Sequence, residues 1–458
     1  MGAGIMKMHV GHSVATRLSA ALLCASFGLV SLAGPVAGSS LTFGTPSATS
    51  KFNTGIAFSQ PYSGGTLKSA TILITTPGDI GPSVSAVDQV ASSPLTFTMD
   101  TSAGGLFPNT PVVAHFEVVL SDGTTQAGPD IHVTYTDDRY AWKTMTGKVV
   151  TLHYINASAS FAQQLVGWAD DGVSKAATLF GVSESKPIDY FVYPDQSSFQ
   201  SALGQGETVG GVAMPTFRSC FALVASGDTT YGQEVLAHEV THVVFADAIG
   251  NPYHDPPRWL DEGFAVYNSV GYGSSDRRLV SQAASSGTLM SILALSDFFP
   301  LDANRIYLAY AEAVSAVDFM VRKYGQPAVL KLVQAYAKGD SDDEAFTAGL
   351  GVDMAAFNSA WLADNNATAT KYGPQPEPTG PLPPGWNGTS ASSGGTPGPS
   401  GGNGPGASTS TSGSGQQSPS QSGDQTVFLL AGIMAAAGLL LLGIALVLFV
   451  SSARRPVS

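Results

Sequence analysis

The chain has 458 residues and a formal net charge of −13, and only 12% of its residues are charged. Such acidity with few basic clusters excludes nucleic acid as a partner and suits a solvated extracellular protein. The length suggests about two or three domains, the 52 Gly and 28 Pro place part of the chain outside any packed core, and two cysteines leave no disulfide framework to read.

Residues 1–17 carry Lys7 and Arg17 and no acid, and an apolar run over 19–33 ends in small residues. This is the layout of a secretory signal, so residues 1–38 are expected to be a signal peptide cleaved after Gly38, with a retained signal-anchor helix as the alternative. Leu23 directly before Cys24 departs from a lipoprotein signal. Removal of Cys24 leaves Cys220 alone, expected to be a small buried hydrophobe rather than a nucleophile.

Residues 39–140 read as short β-branched and aromatic runs between turns, such as V-V-A-H-F-E-V-V-L and I-H-V-T-Y-T. Ser121-Asp122-Gly123 between those two is a hairpin-type turn, and about six strands at this spacing predict a β-sandwich-like accessory domain. It carries no catalytic constellation.

A second domain is expected over residues 146–372. It starts with a strand at 148–154, a helix at 159–180, a strand at 188–193, a helix at 196–203 and a strand at 217–224. Then comes L-A-H-E-V-T-H, a short link containing N-P-Y-H-D-P-P, and R-W-L-D-E-G-F-A-V-Y. His238 and His242, one helical turn apart, share a face, the arrangement two imidazoles need to hold one Zn2+. Glu239 points about 100° around the helix, beside the metal, where a carboxylate can take a proton from an activated water. Hydrolysis needs a third ligand and an open position. Thr230 with Gln233 reads as a capping box opening the first helix, Gly250 and Pro252 close it, and Asp255 as N-cap with Pro256 opens a second. On that reading His242 lies roughly 10 Å from the end of one helix and Glu262 roughly 9 Å into the next, so the two meet at one level. The plain alternative is two helical histidines and an ordinary surface glutamate.

H-E-V-T-H followed by W-L-D-E-G-F-A-V-Y resembles the gluzincin metallopeptidases, particularly the aminopeptidase-like peptidase MA group, whose W-L-x-E-G-x-A-x-Y segment supplies the third ligand. The step from His242 to Glu262 lies within the gluzincin range. The resemblance implies an α+β fold, a small sheet followed by a mostly helical half with the metal helices at their junction. Helices expected at 277–284, 303–324, 328–337, 342–349 and 353–362 supply that second half.

On the 303–324 helix, Ile306, Tyr310, Ala313, Val314 and Val317 form one stripe, so Tyr310 reads first as a core tyrosine. The resemblance offers it a second role, because Y-A-E-A-V-S-A-V-D-F-M falls in register with the segment by which aminopeptidase-type gluzincins present a tyrosine hydroxyl to the reacting carbonyl; the E-K-G that follows that tyrosine in the family is not kept. Thermolysin-like members place an aspartate four residues after the ligand glutamate, where this chain has Val266. Asp261, Asp247 and Asp318 remain candidate partners for the histidines. His254 reads as an exposed loop residue, with a substrate contact as the alternative.

Residues 373–426, rich in Pro, Gly and Ser, cannot bury enough surface to fold and are expected to be a disordered stalk. Residues 427–450 carry no charge and are long enough to span a bilayer, and Arg454 and Arg455 place the tail 451–458 in the cytoplasm. Leu382-Pro383-Pro384-Gly385-Trp386 departs from a cell-wall sorting signal, so a permanent membrane anchor is expected.

The combined expectation is a single-pass membrane zinc metallopeptidase acting on a peptide or protein substrate, with Zn2+ on His238, His242 and Glu262, and Glu239 and Tyr310 as catalytic groups. Aminopeptidase gluzincins hold the substrate's ammonium with an acid in G-x-M-E-N. The counterpart here, Gly211-Val212-Ala213-Met214-Pro215-Thr216, has none, nor does any position from 209 to 227. An endopeptidase is therefore expected, with an aminopeptidase or a catalytically inactive surface adhesin or scaffold with a structural zinc site as alternatives.

Overall fold

A computed structural model describes residues 41–203, 210–251, 254–300 and 303–369. The expected signal peptide, the membrane helix, the tail and the stalk lie outside the described residues, within which no helix is long and apolar enough to cross a membrane.

The first part is built from strands β1 (Thr42–Phe43), β2 (Ser47–Lys51), β3 (Gly55–Gln60), β4 (Tyr62–Ser63), β5 (Leu67–Thr75), β6 (Ser83–Ala86), β7 (Leu95–Asp100), β8 (Thr110–Leu120), β9 (Thr125–Ala127) and β10 (Ile131–Tyr135). Strand β8 shows the rule that builds them. Its residues alternate in burial, so Val112, Ala114, Phe116 and Val118 turn inward while their neighbours face outward. β8 lies between β5 and the β9–β10 side, with β6 beyond β5, and a second sheet runs β2-β3-β7. Ile56 and Phe58 of the second sheet share one core with Ile72 and Phe116 of the first, so the two sheets pack face to face. The runs read from sequence fall in β1, β3, β5, β7, β8 and β10. β2, β4, β6 and β9 went unread because they are two to five residues long and mostly exposed or half-buried, with no buried side chains to set an alternation. The turn at Ser121–Gly123 leads from β8 into β9 rather than directly into β10; β9 and β10 pair with successive stretches of β8.

The second part opens with β11 (Lys143–Thr146), β12 (Val150–Tyr154), α1 (Ala159–Phe180), β13 (Ile188–Tyr193), α2 (Gln196–Leu203), β14 (Gly211–Met214) and β15 (Ser219–Leu223). Their sheet runs β11-β12-β13-β15-β14, parallel through β12, β13 and β15 and antiparallel at both edges. α1 matches its expected bounds because both ends are capped. The Ser158 hydroxyl accepts from Phe161 N at 3.1 Å, and Gly181 takes the left-handed conformation at φ 69°. Two strand starts differ from expectation. Lys148, Val149 and Val150 donate their N–H groups to the Asp170 carboxylate on α1, at 2.6, 2.9 and 3.0 Å, and β12 begins at Val150. Pro215–Phe217 forms a 3-10 turn and Arg218 has φ 53°, so β15 begins at Ser219 rather than 217.

This sheet is buried on both faces, as a largely parallel sheet must be. On β13, Tyr190 and Val192 face the helical core, while Phe191 and Tyr193 enter the core of the β-rich part. Where the two parts meet, Asp137 is 3% exposed; its carboxylate accepts from Arg139 Nε at 2.7 Å and from the Tyr193 hydroxyl at 3.0 Å, and its carbonyl accepts from Trp142 Nε1 at 2.9 Å.

The remainder is helical: α3 (Thr229–Ile249), α4 (Arg258–Ser269), α5 (Ser274–Ser286), α6 (Ala303–Tyr324), α7 (Gln326–Ala337), α8 (Asp342–Leu350) and α9 (Met354–Asp364). The expected cap, Thr230, lies inside α3, which is capped two residues earlier. The cap is Asp228, whose carboxylate accepts from Tyr231 N at 3.1 Å and carries the negative charge a helix N-terminus favours. The expected opening of α4 at Asp255-Pro256 is not found. Pro256 precedes Pro257, and a residue before proline is pushed out of the helical region; Pro257 itself is extended at ψ 137°, so α4 starts at Arg258 with no side-chain cap.

Candidate metal centre

α3 is buried nearly all round, with Leu236, Val240, Val243 and Val244 fully enclosed. Only a short face is left for its polar side chains. α4 lies against it, tied by the buried Asn268, which donates to Thr241 Oγ1 on α3 at 2.7 Å and to the Gly172 carbonyl on α1 at 3.0 Å. α4 in turn rests on α6 through Gly263, where a Cβ would stand 2.6 Å from the Ala313 carbonyl oxygen. That glycine of W-L-D-E-G is there because the two backbones touch.

This packing brings three side chains together. His238 Nε2 and His242 Nε2 are 3.2 Å apart, and Glu262 Oε2 lies 3.4 Å from the first and 3.7 Å from the second. His238, His242 and Glu262 form a group that can hold a metal ion, one atom from each lying within 4.8 Å of the others. Ligands bound at about 2.0–2.2 Å around a tetrahedral ion stand roughly 3.3–3.5 Å apart, so the observed spacing fits zinc. The donor set fits as well, two imidazoles and one carboxylate oxygen. Glu262 Oε2 is buried with no hydrogen-bond partner, the state of an acceptor facing a cation.

Of the three aspartates weighed as histidine partners, Asp261 is the one that reaches. Its Oδ1 lies 2.8 Å from His242 Nδ1, the ring nitrogen turned away from the cluster. Asp247 is paired with Arg218, and Asp318 with Arg322 at 2.7 Å. Asp261 adjoins Glu262 in sequence, so one turn of α4 reaches both the cluster and the back of His242.

Glu239 is 2% exposed, and its Oε2 has no partner. Burial pushes its pKa up to about 7; the imidazoles of His238 and His242 offset part of that, while Glu262 and Asp261 add to it. Its carboxylate rests against edge strand β14 at Gly211. A Cβ there would collide with Oε1 and stand 2.7 Å from Val235 Cγ2, so only glycine leaves the carboxylate this seat. Glu262 behaves oppositely. Burial favours its neutral form, yet the His238 ring beside it and the charges of Arg258 and His242 hold it down at about 2.

Tyr310, half-buried on α6, points its phenol into the same group. Burial raises its pKa well above the usual phenol range, Glu262 and Glu239 raise it further, and Arg258 opposes them. Its ring meets Phe299 edge-on at 5.0 Å.

Sequence reasoning passed over Arg258. Its Nη2 donates to Glu262 Oε1 at 3.0 Å. The signal was legible, since Arg258 and Glu262 form an i, i+4 pair of opposite charge in a segment predicted to be helical. His254, expected to be an exposed loop residue, is half-buried, with Nε2 2.9 Å from Asp342 Oδ1. It lines a cleft of about 730 Å³ beside the His242–Asp261 pair, along with Phe245, Asp255, Asp297 and Phe298.

The sequence model of the Peptidase MA superfamily matches residues 168–366. No curated protein matches the chain. Among solved structures it is similar to an M1 zinc metallopeptidase from Deinococcus radiodurans, at 13% identity over 74% of this chain and 94% of that one, with a TM-score of 0.32. It is also similar to an aminopeptidase N family protein from Idiomarina loihiensis, at 14% identity over 71% of this chain and 60% of that one, with a TM-score of 0.34. A polysaccharide deacetylase from Bacillus cereus matches at 12% identity over 34% of this chain and 54% of that one, with a TM-score of 0.18.

Proposed function

From the match of residues 168–366 to the Peptidase MA superfamily we propose that the chain is a zinc metallopeptidase, a cell-surface enzyme cutting within peptide chains. The observation that carries the catalytic reading is the buried, unpartnered Oε2 of Glu239 beside the three-residue cluster. A site that merely braces the fold has no use for a buried acid with no donor, which costs stability where it stands.

His238, His242 and Glu262 would hold Zn2+, which would supply Lewis acidity toward a water and a substrate carbonyl. Glu239 takes the proton of that attacking water and passes it to the departing amine. A carboxylate whose pKa lies near 7 is suited to both halves of this transfer. Tyr310, kept protonated by its surroundings, donates its hydroxyl to the oxygen on which charge develops. Asp261 holds the His242 ring from behind and so fixes which nitrogen faces the cluster.

The substrate lies extended along the outer edge of β14, whose inner edge is taken by β15. With no acid in residues 209–227 to neutralise a substrate ammonium, a chain whose amino terminus lies further away binds better. A second reading has one observation in its favour: Asp255 and Asp297 in the cleft beside His242 are countercharges that could receive a free amino terminus. The experiment that separates these readings incubates the full-length protein, wild type and Glu239→Gln, with peptides and their N-terminally acetylated twins, read by mass spectrometry. Internal cleavage of both twins, abolished in the variant, is expected. Residue-by-residue release from the free-amine twin alone would make the enzyme an aminopeptidase, and equal cleavage by the variant would remove Glu239 from the mechanism.

The surface location rests on the sequence of residues 373–458, with its stalk, charge-free span and terminal arginines. Protease added to intact cells should release the folded part by cutting the stalk; protection of that part inside the cell would overturn the topology.

A further inference from the structure

Arg258 sits in the first turn of α4, its side chain only 11% exposed. Its backbone N–H is tied to the Ser296 carbonyl at 2.6 Å, and its guanidinium lies over the Phe299 ring at 5.4 Å. From this fixed position it serves two acceptors. Nη2 donates to Glu262 Oε1 at 3.0 Å, and the same guanidinium hydrogen-bonds the Tyr310 hydroxyl. We propose that Arg258 is a positioning residue that sets the geometry of both groups at once, presenting one oxygen of Glu262 to the metal and turning the Tyr310 proton toward the substrate. The inference rests on the peptidase reading above and deepens it.

The first half follows from the carboxylate. With Oε1 occupied by the guanidinium, only Oε2 remains to face His238 and His242, and it is the oxygen without a partner. A carboxylate left free can rotate and offer both oxygens or neither; one whose Oε1 is held by a charged N–H donor on a packed guanidinium keeps Oε2 for the metal.

The second half follows from the donor inventory. Arginine has five N–H donors and no acceptor, so in its bond to Tyr310 the phenol oxygen must accept. The phenol's own proton then has to point elsewhere, and the carboxylates whose charges act on it are Glu262 and Glu239 of the reacting centre. Arg258 thus fixes the direction of the hydrogen bond that Tyr310 can offer. A lysine, a point charge on a flexible stem, cannot hold two acceptors in this fixed relation.

Charge alone predicts the opposite sign. A cation beside a Zn2+ site repels the metal, so removing Arg258 should tighten zinc if the residue acts only through its charge. If it positions Glu262, removal should loosen zinc.

The test uses full-length wild type, Arg258→Gln, Arg258→Lys, Tyr310→Phe and the Arg258→Gln/Tyr310→Phe double variant. Zinc affinity is measured by competition with a chelating dye, and kcat and KM on the peptide that wild type cuts fastest from a mixed library. Thermal melting checks the fold. Arg258→Gln is expected to weaken zinc by roughly ten- to a hundredfold, and to lower kcat with little change in KM. In the Tyr310→Phe background most of that kcat loss should vanish at saturating zinc, since a residue acting through the phenol has nothing left to orient. If Arg258→Gln does not fold, Arg258→Lys decides on the same readouts, because it keeps the charge and loses the fork. Zinc bound as tightly as in wild type or more tightly, or kcat losses that simply add, would overturn the proposal. If Tyr310→Phe retains full kcat, the tyrosine's proposed role fails separately, and the zinc measurement still decides whether Arg258 positions Glu262.

Discussion

The two walls of the metal centre hold the same chemical group in opposite states. On the wall made by α3 and β14, Glu239 is enclosed with one oxygen unpartnered and its pKa near 7. On the wall made by α4 and α6, Glu262 is equally enclosed but is held near 2 by His238, Arg258 and His242. Burial is common to both, so burial cannot decide the role. The partners decide it. A carboxylate supplied with donors and cations stays ionised and can serve as a ligand, while one supplied with a bare glycine backbone exchanges a proton near neutrality.

The sharpest way to break this contrast is to exchange the roles. Glu262→Ala should lose stoichiometric zinc, from about one ion per chain to none by elemental analysis, and with it all turnover. Glu239→Gln should keep the zinc and lose turnover by about a hundred- to ten-thousandfold. Equal zinc retention in both variants would mean that Glu262 is not the third ligand. The next largest effect is expected at Tyr310, on the Glu262 wall. Tyr310→Phe should lower kcat by an amount equivalent to about 3–4 kcal/mol while leaving zinc bound. A loss below about threefold would return Tyr310 to being a core tyrosine.

The smallest effect sharpens the comparison with a third carboxylate, one that faces no metal cluster. Glu312 on α6 is fully buried, accepts from Met290 N at 2.8 Å, and has a second oxygen without a partner. Burial holds its pKa well above the usual carboxylate value of 4.5, with the Met290 hydrogen bond opposing. A carboxyl with a higher pKa folded than unfolded binds more protons in the folded state, so it favours folding most below its ordinary value, and that advantage is lost as pH rises toward the folded one. Glu312→Gln does not titrate. Its stability relative to wild type should therefore improve as pH rises above 4.5, by up to about 1.4 kcal/mol per pH unit within that window. Thermal melts of both proteins across a pH series would show it; a difference independent of pH would mean that Glu312 does not carry this penalty.

Much of the site could be read before any coordinates. His238, His242 and Glu262 follow from helical spacing and a short connection, and the bounds of α1 and α6 match expectation because each is a long periodic segment; those of the shorter β13 and α2 match as well. The α4 start failed at a single dipeptide. Pro256 taken alone is a good first helical residue, but followed by Pro257 it cannot be helical. Choosing Asp261 over Asp247 and Asp318 required knowing how α4 lies on α3, a tertiary fact. The short exposed strands β2, β6 and β9 lacked any burial pattern, and the seat of Glu239 on Gly211 is a contact between segments that no local motif signals.

The joint at Asp137 bears on how the chain can be taken apart. The boundary visible in the amino-acid text, near residue 140, is not a seam in the folded molecule. Phe191, Tyr193, Phe221 and Val212 belong to the metal-bearing half, yet they close the core of the β-rich half. A fragment trimmed to the catalytic text alone would carry a sheet with one face stripped of its cover and turned to water, an aggregating surface. The β-rich half is therefore less a passenger than the other side of the wall on which the catalytic sheet is built, and the two should melt as one unit.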